Sequence, residues 1–290
     1  MGIFWMFVTG VFFIMVTALV KYMGPRLPAQ ESAFIRYALG LIFLLPIFQT
    51  LRSTRLTGRQ WALFGLRGFF HAFGVALWFF AMTRIPIAEV TAMNYLAPIY
   101  VTVGAAIFLG EKLALRRIVA VIMGLLGAAV ILRPGFREVS PGHLAMLMAG
   151  FVFAGSYLLA KVLADEVKPA VVVAMLSIFV TLGLAPLALP VWITPTLEEM
   201  AILFGVACFA TAGHFTMTLA FSVAPVTVTQ PVTFLQLVWA TALGAVAFAE
   251  PVDIWVIIGG FVILASVTFI TWREAVLKRH ITPVSNATKL

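Results

Sequence analysis

The sequence predicts an all-α polytopic membrane protein with ten transmembrane helices arranged as two inverted five-helix repeats. Of its 290 residues, 63% are hydrophobic and 10% are charged, with a mean hydropathy of +1.10. This composition excludes an ordinary soluble domain. Ten apolar stretches follow one another, each near the roughly 20 residues that a helix needs to cross a bilayer core of ~30 Å. No alternating strand pattern appears, so the spans are predicted to be helices.

The second half of the chain repeats the pattern of the first half. Each copy holds five spans, and because five is odd the second copy must lie upside down in the bilayer. We predict a first repeat at 1–138, a second at 139–272, and a short basic tail at 273–290. Inverted repeats that meet at the midplane are typical of secondary transporters. The matching residues are Gly10 with Gly150, Lys21 with Lys161, Pro46 with Pro186, Pro86 with Pro225, and Glu111 with Glu250.

The net charge of +8 predicts a topology and not a nucleic-acid partner. With the N-terminus inside, twelve Lys and Arg residues fall in cytoplasmic segments and five fall on the other side. This bias fits the positive-inside rule with both termini cytoplasmic, and it favours attraction to lipid headgroups. The first apolar run has no basic leader and no A-x-A cleavage site, so it is predicted to be a retained helix. A bacterial inner membrane is the expected location.

Enzyme motifs are missing from the sequence, so an enzyme is not predicted. There is no H-E-x-x-H, G-x-S-x-G or P-loop pattern. The single cysteine, Cys208, lies in a span and is predicted to be a packing residue. No metal or cofactor is expected.

The third span carries a polar stripe at helical spacing. Arg67, His71, Gly74 and Trp78 share one sector of the helix. Polar groups that face lipid are costly, so His71 and Trp78 are predicted to line a cavity. For Arg67 the alternative is that it extends to the interface, and for Arg36 the alternatives are the interface or pairing with Glu31.

Spans four and nine carry a matching polar corner, since Thr91, Asn94 and Tyr95 correspond to Gln230, Thr233 and Phe234. These groups need partners inside the membrane, either neighbouring helices or a substrate. Tyr100 lies further along span four. Span eight offers His214, which is either a packing residue or a ligand, and span six offers Phe153, Ser156 and Tyr157.

The centres of spans one and six carry no acidic residue. A buried carboxylate is a usual proton carrier, so facilitated transport is the simpler prediction, with His71 or His214 as an alternative protonatable group.

The run from Ile85 through Pro98 to Phe108-Leu-Gly-Glu111, with Ala249-Glu250 at the equivalent place in the second half, resembles the EamA repeat. To about residue 272 the chain is similar to ten-helix members of the drug/metabolite transporter superfamily, and most similar to YddG-type exporters of aromatic and other amino acids. The resemblance implies a monomer with a central cavity lined by spans one, three, four, six, eight and nine.

The predicted function is export of aromatic and other neutral amino acids through that cavity. The alternative is another metabolite or drug, such as S-adenosylmethionine or a riboflavin-like compound, with possible proton coupling. The predicted substrate-binding residues are His71, Trp78, Asn94, Tyr95, Tyr100, Tyr157, His214, Gln230 and Thr233.

Overall fold

The computed structural model describes residues 1–108, 114–164, 166–224, 229 and 232–281. The described residues form no β-strand, and helices dominate them. The helices are α1 (Gly2–Met23), α2 (Ala29–Gly40), α3 (Phe48–Ser53), α4 (Gly58–Met82), α5 (Ile87–Asn94), α6 (Ala97–Phe108), α7 (Leu115–Leu132), α8 (Pro141–Ala164), α9 (Pro169–Ala188), α10 (Leu197–Val223), α11 (Thr233–Phe248) and α12 (Ile254–Ile281).

The predicted membrane architecture is confirmed. Nine helical segments of the described residues are long and apolar enough to cross a bilayer, and α11 is a shorter apolar helix at the position of the ninth span. We call the side where α1 begins the N-terminal face and the side where α1 ends the distal face.

Prolines shape two of the spans. The second span consists of α2, a 3₁₀ segment at Leu41–Ile47 that contains Pro46, and α3. The fourth span is interrupted between Asn94 and Ala97. Pro98 explains this interruption, because its ring collides with the carbonyl of the residue four positions earlier and it has no N–H to donate. Pro231 lies outside the described residues.

Equivalent capping boxes begin α4 and α10, which form the third spans of the two repeats. The hydroxyl of Thr57 accepts from the Gln60 N–H, and the hydroxyl of Thr196 accepts from the Glu199 N–H. In each case the side chain at the third position bonds back to the backbone of the threonine. Such boxes satisfy N–H groups that lack a partner inside the helix.

The two repeats interlock through equivalent helix pairs. The most extensive packing joins α1 to α10 and α4 to α8. Each of these pairs joins a first-position span of one repeat to a third-position span of the other. The fifth spans, α7 and α12, pack on each other through Gly127 and Gly259. A side chain at either glycine would collide with the facing backbone, so these glycines allow a close approach within the chain.

Candidate functional site

His71 lies in the middle of α4, where helices of both repeats meet. It is about 20 Å along the helix from Gly58. Its Nδ1 is 3.2 Å from the Ser156 hydroxyl on α8. The imidazole centroid is 5.0 Å from the Phe153 ring and 6.4 Å from the Tyr157 ring, both on α8, and 6.4 Å from the Tyr37 ring on α2. His71 itself is buried, so the third span turns this polar group inward.

An open space adjoins this aromatic cluster. Tyr157 stays 44% exposed although its ring stacks on Phe153 at an interplanar angle of 21°. His214 of α10 is also exposed, and its ring meets Phe13 of α1 edge-on at 5.2 Å. His71 and His214 are close enough to interact electrostatically. Helices α1, α2, α4, α8 and α10 therefore bring polar and aromatic side chains together near mid-membrane depth. We call the accessible region beside His71, Tyr157 and His214 the His71 space.

Two arginines border the same space. Arg36 and Arg67 are 9% and 6% exposed, and both act electrostatically on His71. The alternative in which Arg36 pairs with Glu31 is wrong, and the alternatives in which the two side chains extend to the membrane interface stay predictions. Neighbouring helices enclose both residues, and the Glu31 carboxylate accepts from the Ile193 N–H instead.

The predicted corner between spans four and nine has a structural contact at its centre. Tyr95 is buried, and its hydroxyl donates to the carbonyl oxygen of Thr233 at 2.6 Å. This bond joins the end of α5 to the beginning of α11, and so links the two repeats. Asn94 is exposed, and its side chain makes no hydrogen bond with the rest of the described chain. Gln230 lies outside the described residues.

Two other predicted residues lie away from the His71 cluster. Tyr100 packs on α8, where its ring contacts Phe151 at 6.2 Å and lies over Gly150. Trp78 lies about 10 Å from His71 along α4, toward the distal face. It is half-buried, and its indole N–H has no partner among the described residues.

We expect Tyr95→Phe to lower stability without changing substrate affinity. The change leaves the ring in place and removes the hydroxyl that bonds to Thr233. A net hydrogen bond contributes about 0.5–1.5 kcal/mol. Thermal melting in detergent measures the loss, and transport kinetics should show an unchanged KM. A raised KM with unchanged melting would instead place the Tyr95 hydroxyl at the substrate.

Ion pairs tie the two repeats together at the distal face. Lys21, at the end of α1, forms an ion pair with Glu250, just after α11, and donates to the Ile85 carbonyl at 2.8 Å. The Glu250 carboxylate also accepts from the Ile87 N–H at 2.9 Å. These contacts hold the ends of α1 and α11 against the turn that precedes α5. On the same face, Arg26 pairs with Glu199.

A second group at the distal face centres on Glu89, whose side chain is almost fully enclosed. Arg137 donates to both Glu89 carboxylate oxygens, at 2.9 and 2.7 Å, and His143 bonds to the same carboxylate. Arg137 also lies 3.6 Å from Asp253, which pairs with Arg133. The hydrogen bonds to Glu89 raise the pKa of Arg137 above its usual value.

The N-terminal face carries an ion pair of a different kind. Arg59 donates to Glu166 at 2.6 Å, and Gln60 donates to the same carboxylate at 3.2 Å. Arg59 is largely exposed. The hydrogen bond from Arg59 lowers the pKa of Glu166 below its usual value. Exposed pairs of this type contribute little to stability.

Sequence reasoning brought some of these groups into view and missed others. His71, Tyr157 and His214 converge, whereas Tyr95 and Thr233 form a separate contact. Neither Glu89 nor its partner His143 was among the predicted site residues. The repeat itself carried a signal for the Lys21–Glu250 pair, since both residues recur at equivalent positions of the other half as Lys161 and Glu111.

Comparison with known proteins identifies the family to which the chain belongs. A model described as the EamA-like transporter family matches residues 1–133 and 140–272. A riboflavin transporter of Vibrio cholerae is 29% identical, over 96% of this chain and 95% of the relative. An S-adenosylmethionine uptake transporter of Rickettsia prowazekii is 28% identical, over 94% and 93%.

More distant similarities agree with this result. The pseudopaline exporter CntI of Pseudomonas aeruginosa is 25% identical, over 88% of this chain and 90% of the relative. A solved crystal structure superposes with a TM-score of 0.62 at 17% identity, covering 96% of this chain and 98% of its own. This last similarity concerns the fold alone.

Proposed function

Because the chain belongs to the EamA-like transporter family, we propose that it carries a small organic metabolite through the space around His71 by alternating access. The protein is a multi-pass membrane transporter, and its bacterial relatives place it in the inner membrane. The observation that carries the proposal is the polar space bordered by His71, Tyr157 and His214. Helices from both repeats surround it at mid-membrane depth, where inverted-repeat transporters hold their substrates.

The two repeats would rock about this space and expose it to one side at a time. Following the positive-inside bias, we assign the N-terminal face to the cytoplasm and the distal face to the periplasm. The ion pair between Lys21 and Glu250 and the ion pair between Arg137 and Glu89 then close the periplasmic side. The centres of the spans hold no carboxylate that would carry a proton, which favours facilitated transport, with direction set by the substrate gradient.

Neutral and aromatic amino acids are our first candidate substrates. Tyr157 offers an exposed ring, and aromatic contacts add about 0.5–1.5 kcal/mol beyond burial. His71 and the exposed amide of Asn94 offer hydrogen bonds to the polar groups.

A riboflavin-like compound is the second candidate. A flat heterocycle fits beside stacked rings, and the relative from Vibrio cholerae is named for riboflavin.

The test is counterflow uptake of radiolabelled phenylalanine, methionine, threonine and riboflavin into proteoliposomes, with and without a pH gradient. We expect saturable uptake that is indifferent to the gradient and absent from protein-free liposomes. Tyr157→Ala should lower kcat/KM by about tenfold, the equivalent of ~1.4 kcal/mol of lost binding.

Met148→Ala is the matched control for this variant. Met148 is exposed on the opposite side of the same helix, so its truncation should leave uptake unchanged. Equal rates for Tyr157→Ala and Met148→Ala would move the substrate away from the His71 space. Dependence on the pH gradient would contradict facilitated transport.

A further inference from the structure

The centre of the helical bundle carries positive charge, and no acidic residue of the described part of the chain balances it. The acidic residues that the structure describes lie near span ends or in loops. Glu31 and Glu89 belong to the first turns of their helices. Arg36 and Arg67 are each several residues inside a span, and arginine stays protonated in proteins. A buried charge without a counter-charge is costly.

Arg36 has no hydrogen bond or ion pair within the described part of the chain. Its guanidinium lies 4.0 Å from the centre of the Tyr37 ring, a cation–π contact that orients the group without neutralising it. The residue as a whole is buried, but its guanidinium nitrogens are not fully enclosed by other atoms. The head group therefore faces the internal space, and it acts electrostatically on both His71 and His214.

Arg67 adds a second fixed charge to the same region. One of its terminal nitrogens donates to the Val172 carbonyl at 2.9 Å, which anchors the side chain against α9. Its Nε is enclosed and has no partner among the described residues. No carboxylate of the described chain pairs with it. Tyr157, whose ring borders the space, lies within electrostatic range of Arg67.

We propose that Arg36, with Arg67 behind it, binds an oxyanion group of the substrate, either a carboxylate or a phosphate. The inference rests on the transport function proposed above and specifies the charge of what is carried. A guanidinium presents two parallel N–H donors that match the two oxygens of such a group. The substrate then supplies the negative charge that the centre of the bundle lacks.

The positive charge of the site determines which candidate substrates it can bind. Amino acids meet the requirement through their carboxylate, and so do organic acids without an ammonium group. A compound that presents only positive charge would meet Arg36 and Arg67 with no carboxylate nearby, and would be repelled. Since an acid without an ammonium group moves as a net anion, a membrane potential should change its rate of transport.

Three phenyl compounds of similar size separate these cases: phenylpyruvate, phenylalanine and phenylalanine amide. Binding is read as the rise in Tm of the full-length protein in detergent. Phenylpyruvate and phenylalanine should raise Tm, and the amide, which has no carboxylate, should leave it unchanged. Riboflavin and its phosphate ester, FMN, distinguish phosphate from carboxylate as the bound group. If FMN stabilises the protein and riboflavin and the phenyl acids do not, the group is a phosphate.

The variant that tests the residue is Arg36→Gln, with Arg55→Gln as its control. Arg55 is exposed in the loop between α3 and α4, so the control makes the same change of charge outside the bundle. Arg36→Gln should weaken binding of the preferred anion at least tenfold, and Arg55→Gln should leave it unchanged. Arg36→Lys keeps the charge and loses the paired donors, so it should retain part of the affinity. It also serves as the test if the glutamine variant fails to fold.

Each remaining outcome has a definite meaning. The inference is wrong if the amide binds as tightly as the acids, if no anion of the set raises Tm, or if Arg36→Gln binds like the wild type. Proteoliposome uptake is measured separately on the same compounds. If anions bind through Arg36 and none is taken up, the oxyanion site stands and the proposed transport function fails.

Discussion

Replacing Arg137 with alanine should lower the free energy of unfolding by about 3–5 kcal/mol, the usual cost of leaving a buried charge without its partner. Arg137 holds both oxygens of Glu89, a carboxylate that is almost completely enclosed. It also approaches Asp253, so its removal weakens a contact between the two repeats. Unfolding in mixed micelles by SDS titration measures the change.

Glu138→Ala is the matched control for this prediction. Glu138 is the next residue along the chain and is exposed, so its truncation should change the free energy of unfolding by less than ~0.5 kcal/mol. Glu89→Gln removes the buried negative charge while keeping the side-chain shape, and should cost less than Arg137→Ala. If Arg137→Ala and Glu138→Ala unfold alike, the Glu89 cluster contributes nothing to stability.

Reversing the charge of Lys21 should open the distal face. Lys21→Glu places a second carboxylate beside Glu250, and a like-charge pair of this kind costs several kcal/mol. Since the pair joins α1 to the end of α11, the cost falls on the conformation that is closed at this face. A shift of ~3 kcal/mol changes the ratio of open to closed molecules on the order of a hundredfold. Net transport should slow at least tenfold.

Cysteine labelling measures the opening directly. Thr17 is buried one turn below Lys21 on α1, and Cys208 is the native cysteine of the chain. In a Cys208→Ser background, Thr17→Cys should react slowly with a polar maleimide in detergent. Lys21→Glu should accelerate that reaction by tenfold or more.

Two further variants interpret the labelling result. Arg84→Glu reverses the charge of an exposed arginine on the same face and should leave the rate unchanged. Adding Glu250→Lys to Lys21→Glu should restore slow labelling in part. The restoration is incomplete because a lysine does not accept the hydrogen bond of the Ile87 N–H. Unchanged labelling in Lys21→Glu would show that other contacts keep this face closed.

Much of the fold was predictable from local features of the chain. The apolar stretches correspond to the observed helices, and Pro98 lies next to the interruption of the fourth span. The odd number of spans in each repeat implied an inverted arrangement, and the helix pairs α1–α10 and α4–α8 show the expected symmetry. Gly127 of span five and Gly259 of span ten face each other, because the missing side chains allow the two helices to approach closely.

The polar site was less predictable. His71 was expected to face inward from its position on α4. The same reasoning left Arg67 undecided, because a long side chain can reach either the interface or the interior. The carbonyl to which Arg67 donates, that of Val172, lies 105 residues away in sequence. The Tyr95 hydroxyl has its partner 138 residues away, so a predicted ligand-binding group proved to hold two helices together.

The sequence by itself determined that this protein spans a membrane, with ten helical spans in two related halves. These properties depend on the length, hydropathy and period of local segments, and the thickness of the bilayer converts them into helices. Only the tertiary structure decided which polar groups converge. It brought Arg36 of α2 close to His71 and Arg67 of α4 with no carboxylate of the described chain paired to either arginine, and it paired Lys21 with Glu250 at the distal face. Such pairings depend on how helices from distant parts of the chain pack, and no local pattern records that geometry.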